Sequence, residues 1–138
     1  MCLLDRVEAW DDQHIQCRAQ SHRTKDNPLR SHGRLGTACG IEYAAQAMAV
    51  HGALLAPAGS TCARIGYLVS IRSTQLYVPR LDDIAADLWV EATCITRGEN
   101  NILYQFSISA SGKILLDGRA AVVVNAEALT SNSLGNTP

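Results

Sequence analysis

The stretch Gly40-Ile41-Glu42-Tyr43-Ala44-Ala45-Gln46-Ala47-Met48-Ala49-Val50-His51-Gly52-Ala53-Leu54-Leu55 decides how the rest of the chain is read. It predicts one helix. Ala, Leu, Met, Glu and Gln are good helix formers, and neither Pro nor a β-branched run interrupts them. Pro57-Ala58-Gly59 supplies the stop signal. Apolar residues occur nearly all round this helix, without the polar stripe of a surface helix, so it is expected to be buried on most sides, wrapped by a sheet. Its polar groups are Glu42, Gln46 and His51. Glu42 and Gln46 lie one turn apart on one face. A carboxylate in a first helical turn suits the helix dipole, so Glu42 reads either as a cap or as an acid/base group. His51, deep in an apolar helix, reads as a hydrogen-bonded core histidine.

Working outward, Leu3–Trp10 and His14–Gln20 flank the polar turn Asp11-Asp12-Gln13 and predict a hairpin. Residues 21–39 read as an irregular loop with a turn at Asp26-Asn27-Pro28. The loop carries His22, His32, Arg23, Arg30 and Arg34 straight into the helix. Beyond the linker at 57–64, Ile65–Ile71 reads as a strand, with extended chain again at Leu76–Val78. Leu88–Ile95, Ile102–Ile108 and Ile114–Val124 follow as three strands. The turns Gly98–Asn101 and Ser111-Gly112-Lys113 join them into an antiparallel meander. The expectation is an α+β domain over residues 1–126, a curved antiparallel sheet around one long helix, with a polar tail at 127–138.

The 138 residues carry a net charge of −1, which leaves no electrostatic footprint for nucleic acid. No apolar run is long enough for a transmembrane helix, and no basic-then-apolar signal opens the sequence. Five cysteines (2, 17, 39, 62 and 94) form no Cys-x-x-Cys pair. They are expected to be reduced, mostly buried thiols of a cytoplasmic protein rather than a disulfide framework or a zinc site.

Several segments together resemble the 3-hydroxyacyl-carrier-protein dehydratases of the hotdog superfamily. These are Leu3-Leu4-Asp5-Arg6-Val7, the Asp26-Asn27-Pro28 turn before His32, and Glu42 followed four residues later by Gln46. Residues 21–23 (Ser-His-Arg), 27–30 (Asn-Pro-Leu-Arg), 33–35 (Gly-Arg-Leu) and 40–52 are similar to the small dehydratase subunits of aryl-polyene pigment synthesis. The resemblance implies a hotdog fold and dehydration of a 3-hydroxyacyl thioester to a trans-2-enoyl thioester. It also implies no metal or organic cofactor, an acyl carrier protein delivering the substrate, and a dimer with a copy of itself or a second hotdog protein.

The general family places its histidine in Gly-His-Phe-Pro-Gly. Here the matching segment is Ser31-His32-Gly33-Arg34-Leu35-Gly36, without Phe-Pro. His32 is the positional candidate for the base, and His22, inside the subgroup's motif, is its rival. Glu42 would protonate or orient the leaving hydroxyl, with Gln46 positioning it. Gly40 and Ile41 would offer backbone N–H groups to the thioester oxygen. The loop arginines, Arg30 among them, read as a solvated surface or as contacts to an acidic carrier. Ala45, Ala49 and Ala53 leave room for an acyl chain. Two other readings stand beside this one: a hotdog thioesterase using Glu42 without a histidine, and a non-catalytic subunit that completes a partner's site.

Overall fold

The computed structural model describes residues 2–55, 65–99 and 101–125. The expected helix stop at 57–59, the linker to residue 64 and the tail at 127–138 lie outside them. The elements are β1 (Arg6–Trp10), β2 (His14–Ala19), α1 (Gly40–Leu55), β3 (Ile65–Leu76), β4 (Leu88–Arg97), β5 (Asn101–Ala110) and β6 (Lys113–Asn125). The six strands form one antiparallel sheet in the order β1-β2-β4-β5-β6-β3.

The hairpin and the β4-β5-β6 meander are as the turn residues predict. Ser111 and Gly112 take φ of 53° and 76° between the paired Ala110 and Lys113, the left-handed pair that a two-residue hairpin turn requires. At β1-β2, the Asp11 carboxylate accepts the Gln13 N–H at 2.8 Å and closes the turn. What periodicity could not place is β3. It is one unbroken strand of 12 residues rather than two extended pieces, and it pairs with β6 at the far edge.

Alternation along the strands sends Ile15, Cys17, Ala19, Leu88, Val90, Ala92, Tyr104, Phe106, Ile108, Leu116 and Ala120 to the face that α1 covers, all of them buried. Each large apolar side chain removed from water there contributes about 1.5–3 kcal/mol. The helix meets this face through Gly40, Tyr43, Ala44, Ala47, Met48 and His51, a stripe at helical spacing. A Cβ built on Gly40 would stand 2.8 Å from Leu116 Cδ2 and 3.1 Å from Ile108 Cδ1, so the missing side chain lets the helix sit down on β5 and β6.

The expectation of a helix buried on most sides is corrected. In the single chain α1 is buried on one side only, and Glu42, Ala49, Ala53 and Leu54 are exposed. A single sheet of this width covers one side of the helix and leaves the other to solvent. The cysteines are also corrected in part. The four described ones are free, but only Cys17 is buried, with its thiol pushed up to about 11 by that burial.

Candidate active site

Two short 3-10 turns, Ser21–Arg23 and Thr37–Cys39, bracket the loop that leads into α1. The loop between them is tied down by polar contacts. The Ser21 hydroxyl donates to the Leu3 carbonyl at 2.7 Å, so the Tyr43 hydroxyl, 2.7 Å away, donates to Ser21 Oγ. Asn27 Nδ2 donates to Tyr43 Oη at 3.1 Å and to the Ser21 carbonyl at 2.8 Å, while its Oδ1 accepts the Leu29 N–H at 2.8 Å. Tyr43 is fully buried, and that burial raises its pKa and keeps the phenol a donor. At the other end of the loop, Thr37 Oγ1 donates to the Val78 carbonyl at 2.5 Å and Asp82 Oδ1 accepts the Leu35 N–H at 2.9 Å. Arg80 ion-pairs with Asp82 and holds its carboxyl well below the usual carboxylate range.

His22 lies inside this frame with 0% of its surface exposed. Its Nε2 is 3.0 Å from both the Ile84 and the Ala86 carbonyl oxygens. Only an N–H can satisfy two carbonyls, so Nε2 carries the proton. Nδ1 is buried and has no hydrogen-bond partner among the described residues. Burial lowers the His22 pKa, with the Arg23 charge adding to that and the two carbonyl contacts opposing it. The ring is therefore neutral, and Nδ1 presents a bare lone pair.

The rival histidine is placed differently. His32 is exposed and sits at φ 55° in the turn closed by the Ser31–Arg34 bridge, with Gly33 at 74°. The structure brings no protein partner to its ring among the described residues. His14 is half-exposed and meets Glu91 at 3.1 Å. His51 is a satisfied core histidine, as expected. Its Nε2 donates to the Asp11 carbonyl at 2.7 Å, and its Nδ1 accepts from Tyr104 Oη at 2.8 Å.

On the helix, Glu42 is exposed in the first turn and Gln46 Oε1 accepts the Leu3 N–H at 2.8 Å. Gln46 thus anchors the N-terminal segment. Gly40 directs its N–H back to the Thr37 and Ala38 carbonyls, which engages one of the two donors expected there, and Ile41 is half-buried beside it. Two of the three loop arginines are engaged within the chain. Arg23 pairs with Asp87 at 2.9 Å, and Arg30 donates to the Gly33 carbonyl at 3.0 Å and the His22 carbonyl at 3.2 Å. Arg34 is exposed. Asn27 and Tyr43 hold the loop that carries His22, yet from sequence Asn27 reads only as a turn residue and Tyr43 only as part of the helix. The Asn27-Pro28 pair shortly after His22 was the available signal.

A sheet of this order, closed on one helix that follows an anchored loop, defines a hotdog-fold protein. Over residues 1–132 the sequence matches the ApeP-like family, described as ApeP dehydratase, and the chain belongs to that family. Among solved structures it is similar to the dehydratase heterocomplex ApeI:P from Xenorhabdus doucetiae, with 23% identity, 89% of this chain and 82% of that chain covered, and a TM-score of 0.79. The S. sahachiroi protein AziG matches with 14% identity, 86% and 89% coverage and a TM-score of 0.64. The thioesterase HI1161 from Haemophilus influenzae matches with 17% identity, 86% and 76% coverage and a TM-score of 0.63. At these identities the structural matches establish the fold. No protein with a curated description matches the chain. Among the described residues there is no cluster of metal-ligating side chains, and no helix is long and apolar enough to cross a membrane.

Proposed function

We propose that this chain is a subunit of a 3-hydroxyacyl-carrier-protein dehydratase that forms trans-2-enoyl thioesters, in a fatty-acid-like or aryl-polyene pathway, with His22 rather than His32 as the base. The observation that supports it is the state of His22. A base must be neutral, oriented and left with one lone pair, and His22 combines all three. His32, exposed on a turn, has no group among the described residues to orient it.

In this reading Nδ1 of His22 takes the α-proton of the thioester. Glu42 protonates the leaving hydroxyl, so water departs as the C2–C3 double bond forms. The positive end of α1, at Gly40 and Ile41, favours the negative charge that develops on the thioester oxygen. The ring of His22 is sealed in the single chain, so substrate reaches Nδ1 only if the surrounding segment yields.

A partner is also implied. The exposed residues Ala49, Ala53 and Leu54 of α1 are apolar, and the outer edge of β3 pairs with no other described strand. The other edge strand, β1, is short and kinked by a bulge between Val7 and Ala9, as edges are when they are not to be paired. The free edge of β3 and the open helix face suit a second hotdog subunit, homologous or identical. The ApeI:P heterocomplex supports the heterodimeric form. The covered alanine face would then line the acyl tunnel, and Glu42 would act across the interface. An acidic carrier would be met by Arg34, the loop arginine that is exposed.

The test is the conversion of 3-hydroxyacyl thioester to conjugated enoyl thioester, by the chain alone and co-purified with a hotdog partner. Release of free acid instead would replace the dehydratase by a thioesterase. Activity in the pair that survives His22→Gln would make this chain the non-catalytic subunit.

A further inference from the structure

The face of the sheet turned away from α1 carries two kinds of arginine. At the β1-β2-β4 end each is partnered. Arg6 meets Glu8 at 2.6 Å, and Arg18 meets Glu8 at 3.2 Å and lies 4.2 Å over the Trp89 ring. At the β3-β6 end, Arg72 and Arg119 are direct cross-strand neighbours. Side chains so placed have their Cβ atoms about 4.5–5.5 Å apart, and like charges there repel. Neither makes an ion pair or a side-chain hydrogen bond with any described residue. The neighbouring carboxylate on that face of β6, Asp117, instead accepts from the Tyr77 hydroxyl at 3.2 Å.

The two arginines border a hollow of about 260 Å³ lined also by Ser70, Thr96 and Asn101 and by the apolar Ile102, Leu103 and Ala121. A β-bulge follows Arg72, with Ser73 at φ 53°, a device that re-aims side chains beside binding sites. Two guanidinium forks with hydroxyl and amide donors around a cavity of a few hundred Å³ match a tetrahedral dianion. One fork binds carboxylate and phosphate alike, but two forks can take different oxygens of one phosphate, which carries three.

We infer that Arg72 and Arg119, with Ser70, Thr96 and Asn101, form a phosphate-binding site on the outer face of the sheet. The phosphate is either free or the terminal monoester of an organic ligand. The site lies across the sheet from His22 and α1, and does not depend on the dehydratase chemistry.

Calorimetric titration of the full chain at constant ionic strength tests it, with inorganic phosphate, glycerol 3-phosphate and poly-glutamate as probes. Saturable binding of either phosphate is expected, weakened about tenfold or more by Arg72→Gln or Arg119→Gln, as loss of a charge-assisted hydrogen bond implies. The tighter of the two phosphates identifies the source. Without phosphate, both variants should melt no lower than the parent, because each removes a repulsion. No saturation with either phosphate, or equal binding by parent and variants, would overturn the site. Poly-glutamate held more tightly than phosphate by the same arginines would also overturn it, in favour of an acidic protein surface.

Discussion

His22 and His51 are the same residue type, both with 0% of their surface exposed, and their hydrogen bonding differs. At His51 both nitrogens are used: one donates to Asp11, and the other accepts from Tyr104, whose hydroxyl is pushed up to about 12 by burial and so stays a donor. At His22 one nitrogen is held twice over and the other not at all. A buried polar atom without a partner costs about 1–3 kcal/mol, so each one asks for an explanation. Full satisfaction at His51 marks structure. Half satisfaction at His22 is what the proposed base assignment rests on.

That contrast breaks most readily through activity. His22→Gln keeps an amide donor for the Ile84 and Ala86 carbonyls and removes the base, so dehydration should fall about 10²–10⁴-fold with little change in melting temperature. A turnover assay beside a thermal melt reads both. Glu42→Gln should lose turnover on a similar scale, because Glu42 is exposed and the change costs the fold little. Full activity in either variant removes that residue from the mechanism.

His51→Leu should behave in the opposite way. It strands the Tyr104 hydroxyl and the Asp11 carbonyl, for a loss of about 2–4 kcal/mol in denaturant unfolding. The protein that remains folded should keep its turnover. A large loss of turnover per folded molecule would make the distinction between the two histidines wrong.

Stability against pH sharpens the comparison further. His22 has a folded pKa below its usual 6.5, so the unfolded chain binds the extra proton first. Its contribution is full above 6.5 and is lost as pH falls toward the lowered folded value. Chemical denaturation from pH 7.5 down to 5 should therefore show a decline that His22→Gln flattens. The smallest effect is expected at His32→Ala, an exposed turn position, with turnover near that of the parent. A loss matching His22→Gln would move the base to His32.

The helix was legible from its residues, because a run of good helix formers needs no distant partner to declare itself. The hairpin and the meander were legible from their turns. The motif around His22, Asn27 and Arg30 was legible as a resemblance but not as geometry. Sequence placed His22 and His32 on one loop with nothing to choose between them, since exposure and carbonyl contacts come from residues 84–86, some sixty positions away.

Sequence by itself thus determined the elements, their antiparallel partners across short turns and the chemical types gathered near the helix start. These depend on local propensity and on contacts close along the chain. Only the tertiary structure decided that β3 crosses to pair with β6, that one side of α1 stays open, that Gly40 is needed for close packing on β5 and β6, and which histidine is buried with one ring nitrogen unpartnered. Each of these is set by long-range burial, where a side chain's role depends on which distant atoms reach it and which do not.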